Sequence, residues 1–214
     1  MKAFSLYVDT DPPLFKVGRV VCSCALLAYG RFTQTGLHNL PAQGAAIVAA
    51  NHPSDLDPAL VGASFPRTLR FMAAEKEWDR RFVGRCIRRL GAFPVRRGSV
   101  DRDALRVALN LLARGEVVAL FPEGDNYADG PRPFESGVGF LAAKSGAPVI
   151  PCAITGAQRV FNTGGLHWPR IELRVGEPVD VSGLDDLRNA DLYQAITERV
   201  AVAVRALLEG TAQK

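Results

Sequence analysis

The chain has 214 residues, 48% of them hydrophobic, which suits one sizeable domain with a full core and at most a small N-terminal attachment. Its net charge of +4 and pI near 9.0 suit an anionic partner, a class spanning phospholipid surfaces, phosphorylated cofactors and nucleic acid, and do not choose among them. Cys22, Cys24, Cys86 and Cys152 lack metal-ligand spacing, so no zinc site is expected and the thiols read as reduced and buried, as in a cytoplasmic protein.

Met1 to Asp11 is acidic rather than basic and carries no small-residue cleavage pattern, so export is not expected. After Pro12-Pro13, the segment Leu14 to Phe32 interleaves apolar residues with Lys16, Arg19 and Arg31, and its uninterrupted apolar part is shorter than the about 20 residues a spanning helix needs. Two readings stay open: a helix lying in a membrane interface, and a helix packed on its own domain. Asn39 to Gly44 is turn chemistry, and Ala45 to Ala50 is an apolar run without polar alternation, the pattern of a buried strand. Pro58 suits the first position of a helix, which makes Asp57 an expected N-cap.

Further on, strands are expected near Leu69 to Ala73, Phe93 to Val95, Val117 to Phe121 and Val149 to Ile154. Helices are expected near Arg80 to Leu90, Arg102 to Ala113 and Gly137 to Lys144, the last two ended by Gly115 and Gly146. Two short strands, Ile171 to Val175 and Val179 to Val181, precede an amphipathic helix from Asp191 to Leu208. Apolar strands alternating with helices argue for an α/β layered domain with a largely parallel core sheet flanked by helices. The expected division is an N-terminal amphipathic membrane-interface segment, residues 1–36, and a main domain, residues 37–214.

The stretch Asn51-His52-Pro53-Ser54-Asp55-Leu56-Asp57-Pro58 follows the first buried strand, where open α/β sheets present their ligand-binding loops. It sets an imidazole, ordinarily titrating near pH 6.5 (about), beside two carboxylates. A turn that folds Asp57 back onto one ring nitrogen leaves the other to accept a proton, the outline of a general base. On spacing alone, a loop histidine beside a capping aspartate is the commoner reading.

Three further stretches accompany this one: Gly91-Ala92-Phe93-Pro94-Val95-Arg96-Arg97-Gly98, Phe121-Pro122-Glu123-Gly124 and Val149-Ile150-Pro151. In this order and spacing the four stretches resemble the four blocks of the glycerolipid acyltransferase family, which includes bacterial 1-acyl-glycerol-3-phosphate acyltransferases. The resemblance runs from about Leu37 to Val181. It implies acyl transfer from an acyl-CoA or acyl-carrier-protein thioester to a lipid hydroxyl, with no metal, no further cofactor and no covalent intermediate. It also implies His52 as the base, Asp57 as its partner, and Glu123 and Gly124 at the acceptor. Arg96 and Arg97 then form a wall against the acceptor's phosphate. The absence of a Gly-x-Ser-x-Gly elbow agrees with a mechanism that has no serine nucleophile. The implied place of work is the cytoplasmic face of a membrane, peripheral or monotopic, on an anionic lipid surface.

One departure matters. The family commonly continues Glu-Gly-Thr-Arg-Ser, whose Arg holds the acceptor phosphate, whereas this chain reads Glu123-Gly124-Asp125-Asn126-Tyr127. Either Arg132 folds back to substitute, or Arg96 and Arg97 carry the phosphate alone, or the acceptor is a lyso-lipid without a phosphomonoester head. A catalytically idle anionic-lipid-binding module and a hydrolase using His52 to activate water are the alternatives to a transferase. Seven arginines lie between Arg80 and Arg97; of these, Arg81, Arg85, Arg88 and Arg89 recur at helical spacing, and lipid-facing and solvent-facing readings stay open for them. Nucleic acid is not expected, because aromatic residues do not interleave with that run. His38 and His167, outside the blocks, read as ordinary polar residues.

Overall fold

Ala46–Ala50 contains no polar side chain and is buried at every position, so it takes the middle of a sheet rather than an edge. In the computed structural model, which describes residues 13–79, 87, 91–96, 101–125, 127, 132–162 and 165–210, this segment is β2. The other strands are β1 (Phe32–Thr35), β3 (Leu69–Ala74), β4 (Phe93–Val95), β5 (Val117–Leu120), β6 (Val149–Thr155), the short hairpin β7 (Phe161–Asn162) and β8 (Gly165–Leu166), and β9 (Ile171–Val175). Seven strands form one sheet in the order β1-β9-β6-β2-β5-β3-β4. The five from β6 to β4 are mutually parallel; β9 runs antiparallel to β6, and β1 is parallel to β9.

Successive residues of a strand face opposite sides, and the two cores follow that alternation. Ala46, Val48 and Ala50 of β2 face a layer made by α2 (Asp57–Ser64), with α1 (Pro13–Tyr29) packed beside it through Leu26 and Tyr29. Ile47 and Ala49 face the opposite layer, made by α3 (Arg102–Ala113), α4 (Gly137–Ser145) and α5 (Asn189–Glu209). In α3, Asp101 caps the N-terminus by accepting from the amides of Asp103 and Ala104, and buried Ala104, Val107, Ala108, Leu111 and Leu112 recur at helical spacing. Gly139 of α4 lets α5 approach closely, since a Cβ there would overlap the Tyr193 carbonyl.

The α/β class and the largely parallel sheet flanked by helices are as expected, with a helix, α1, ahead of the sheet. Other expectations are corrected. Phe32 opens β1 rather than ending a helix, because Gly30 takes a left-handed conformation (φ 68°) that stops α1. Val179–Val181 forms no strand: Pro178 has no N–H to give a ladder, and only the Val179 amide bonds across, to the Val149 carbonyl. Leu56, not Asp57, stands at the N-cap of α2, and no side chain caps it. The thiols are not uniformly buried: Cys152 is, and burial pushes its pKa up, but Cys24 is exposed and Cys22 half-buried. The expected helix near Arg80 to Leu90, with Cys86 and most of the arginine run, lies outside the described residues apart from Ile87.

Candidate active site

Helix α2 follows β2 onto one face of the sheet, whereas α4, the helix that comes after β5, lies on the other face. Between neighbouring parallel strands whose following helices diverge, the C-terminal edge opens as a crevice, the usual ligand site of such sheets. The chain places its ionisable residues there. β2 and β5 pair Ala49 with Leu120, so continuing the register sets His52 level with Glu123. Through β5 to β3, where Phe71 pairs with Ala119, Glu123 comes level with Glu75, next to Lys76. Through β3 to β4, where Ala74 pairs with Val95, Glu75 comes level with Arg96. Four consecutive strand ends thus carry His52, Glu123, Lys76 and Arg96 along one rim.

His52 is 7% exposed and Asp57 is fully buried. The His52 Nδ1 lies 2.8 Å from Asp57 Oδ2, which also accepts the Ser54 amide at 2.7 Å. Facing a carboxylate, Nδ1 carries the proton, and Nε2 keeps a lone pair and has no hydrogen-bond partner among the described residues. The ring stacks on Phe121 at 4.1 Å between centroids, so its plane is set from two sides. Asp57 does not cap α2: its bonds go back to Ser54 and His52, and its Oδ1 accepts nothing. Burial therefore raises its pKa, with the His52 and Ser54 hydrogen bonds offsetting part of the rise. Asp55 is exposed.

Asn51 makes the loop rigid. Its Nδ2 donates to the Ile154 carbonyl at 3.0 Å and its Oδ1 accepts the Ile154 amide at 2.7 Å, which extends the β2–β6 ladder by one side-chain rung. Glu123 is 6% exposed, and neither carboxylate oxygen makes a hydrogen bond of normal geometry. Burial pushes its pKa up to about 6, although the amides of His52 and Arg132 and the His52 ring lie close enough to offset part of that. The turn that aims it is Phe121-Pro122-Glu123-Gly124, closed by the Gly124 amide donating to the Phe121 carbonyl at 3.2 Å. Gly124 has φ 78°, a left-handed conformation that strains any other residue, and a Cβ there would also press on Glu135 Oε1 at 2.8 Å. The Gly124 amide is used within the turn.

The cations are arranged unevenly. Arg96 is exposed, and its amide and Nε both donate to Asp101, at 2.9 and 3.4 Å. Arg97 lies outside the described residues. Arg132 sets its guanidinium 5.0 Å from the Tyr127 ring centroid, and the Tyr127 amide donates to the His52 carbonyl at 2.8 Å, which brings Arg132 to the His52 loop. Lys76, which the sequence reading passed over, stands at the end of β3 with Nζ 3.8 Å from Asp125 Oδ2. Its signal was present, because a charge directly after an apolar strand faces the same rim as any other strand end. Among the described residues no cluster of His, Cys, Asp and Glu could hold a metal ion.

Residues 31–155 match the protein family described as Acyltransferase. The 1-acyl-sn-glycerol-3-phosphate acyltransferase of Bacillus subtilis (strain 168) is 25% identical over 173 residues, covering 79% of this chain and 84% of that protein. The protein of that name from Streptococcus pneumoniae is 25% identical over 169 residues, covering 78% and 62%. The crystal structure of the 1-acyl-sn-glycerophosphate (LPA) acyltransferase PlsC from Thermotoga maritima matches with a TM-score of 0.72 at 27% identity, over 94% of this chain and 80% of that one.

Proposed function

The chain belongs to the acyltransferase family, and from that premise we propose that it moves a fatty acyl group from an acyl-CoA or acyl-carrier-protein thioester to the hydroxyl of a lysophospholipid, 1-acyl-glycerol-3-phosphate first among them. The observation that carries this reading is the buried His52–Asp57 pair at 2.8 Å with Nε2 open beside Glu123. Nε2 takes the acceptor's hydroxyl proton as that oxygen attacks the thioester carbonyl. The new C–O bond forms, the C–S bond breaks, and the imidazolium returns the proton to the departing sulfur. Asp57 holds the tautomer and stabilises the imidazolium. Glu123, with two unpaired oxygens, accepts a hydrogen bond from a second polar group of the acceptor and orients it.

For the acceptor's phosphate, the strand spacing of about 4.8 Å puts Lys76 about 10 Å and Arg96 about 14 Å along the rim from His52. Lys76 thus joins Arg96, Arg97 and Arg132 as a phosphate cation, in place of the arginine absent after Gly124. A second reading is favoured by the Lys76–Asp125 pair, which presents both signs of charge and matches the phosphodiester and ammonium of a zwitterionic lysophospholipid. Among the described residues no helix is long and apolar enough to cross a membrane. The exposed Val17, Val20 and Val21 of α1 support the residue 1–36 segment as an interfacial element on the cytoplasmic face, peripheral or monotopic.

The test is thiol release from acyl-CoA, and turnover of acyl-carrier protein, with a panel of lysolipid acceptors. Acceptor-dependent release is expected, falling about 10² to 10⁴ fold in His52→Ala. Full activity of His52→Ala would refute the assignment of the base. Thiol release without acceptor would identify a hydrolase, and none with any acceptor an idle lipid-binding module.

A further inference from the structure

Tryptophan at a protein surface usually keeps its N–H in water, because burying an unpaired donor is costly. Trp168 does otherwise. It is 51% exposed, yet its Nε1 donates to the Tyr29 carbonyl at 2.9 Å. Its own carbonyl accepts Arg31 Nη1 at 2.6 Å, and the Tyr29 hydroxyl donates to the Pro169 carbonyl, also at 2.6 Å. The two rings stack at 4.3 Å. The polar groups around the indole are thus internally paired, and the surface it presents is apolar.

Topology decides where that surface points. β9 runs antiparallel to β6 and β1 is parallel to β9, so the residues before Ile171 and before Phe32 leave the sheet at the edge where β2 and β6 end. Trp168 and Tyr29 therefore stand on the same rim as His52, Trp168 two strand spacings away, or about 10 Å across the sheet, and Tyr29 three, or about 14 Å. They occupy the end of the rim opposite Lys76 and Arg96. Arg31 and Arg170 are exposed beside the indole, Arg170 with Glu172 at 3.7 Å. The outward positions 17, 20, 21, 24, 25 and 28 of α1 are Val, Val, Val, Cys, Ala and Ala, an apolar stripe that leads to Tyr29.

We propose that the Trp168–Tyr29 pair is a lipid anchor, which enters the interface of a phospholipid surface and seats the His52 crevice against it. The proposal rests on the reading of the acceptor as a membrane lipid, and adds how the site meets it. A half-exposed tryptophan withdraws about 100 Å² of apolar surface from water, enough for a ten- to hundredfold change in partitioning. Arg31 and Arg170 add attraction to anionic headgroups. Because α1 and the loop before β9 are joined through the stacked rings, the anchor is fixed relative to the sheet, so the acceptor's hydroxyl arrives at a set depth.

Trp78 is the second tryptophan of the chain, so Trp78→Phe leaves Trp168 as the sole indole. Mixed phosphatidylglycerol–phosphatidylcholine vesicles are expected to shift its emission to the blue, and lipids brominated near the carbonyl end of the chain to quench it. Trp168→Ala is expected to lower kcat/KM at least tenfold on lysolipid carried in vesicles and to leave turnover of a short-chain, monomeric lysolipid unchanged. Unaltered emission with vesicles would overturn the anchor, and so would an equal loss on both substrates, which marks a structural role. Should the unsubstituted protein turn over no acceptor, monomeric or in vesicles, the transferase reading fails, while the fluorescence measurement still decides the anchor.

Discussion

Replacing Glu123 by Gln tests the electrostatics of the site through stability. The carboxyl titrates at about 6 in the fold against 4.5 in a free chain, because burial disfavours its charge. Below both values the group is protonated in the folded and unfolded states alike and has no effect on their balance. As pH rises through 4.5 the unfolded chain ionises first, so folding loses stability up to about pH 6 and does not regain it. A shift of this size corresponds to about 2 kcal/mol. Solvent screening at an open rim cuts that to about 1 kcal/mol. Gln keeps the shape and carries no charge. Glu123→Gln should therefore raise the melting temperature by about 2–4 °C at pH 8 and by less than half of that at pH 5. Thermal unfolding followed by circular dichroism at both pH values reads the difference directly. A pH-independent shift, or a lower melting temperature at pH 8, would refute the claim that the charge of Glu123 is held at a cost. Thioester turnover should fall in the same variant, which separates a gain in stability from a loss of acceptor binding.

Asp57→Asn should lower kcat about 10² to 10⁴ fold with little change in KM, since the amide no longer stabilises an imidazolium, and should keep the fold because it removes a buried charge. Steady-state kinetics with a melting curve checks both, and a KM effect alone would contradict the base–partner arrangement. Asn51→Ala leaves the amide and carbonyl of Ile154 unpaired inside the protein, and denaturant unfolding should show a loss of about 2–4 kcal/mol. A loss below about 0.5 kcal/mol would mean that the side-chain rung is not needed. Asp125→Thr frees Lys76 from an exposed pair, so the preference for lysophosphatidic acid over zwitterionic lysolipids should rise about two- to fivefold in competition assays. An unchanged ratio would remove Asp125 from acceptor choice.

Several parts of the molecule were legible because a local rule governs them. Ala45 to Ala50 has no polar alternation, and β2 is buried on both faces. Helices α3 and α4 end where Gly115 and Gly146 stand with φ of 77° and 67°. The His52–Asp57 contact needs only five residues and a turn to close, so it too was visible in the chain. β1 was missed because Phe32-Thr33-Gln34-Thr35 is mostly exposed and becomes a strand through pairing with β9, more than 130 residues away. Val179 to Val181 failed in the reverse sense, with a strand-like composition and no donor at Pro178.

What the sequence determined by itself is the set of reactive groups: a titratable ring, a partner carboxylate, a glutamate after a strand, and the missing arginine beyond Gly124. Those are matters of residue identity and short spacing. Only the tertiary structure decided which of them share an edge. Strand order and register set Lys76 and Arg96 on the rim of His52, and the packing built on them ties Asp125 to Lys76 and pairs the polar groups around Trp168. The reason is physical: a strand's neighbours in a parallel sheet come from distant parts of the chain, and no local pattern records which ones they are.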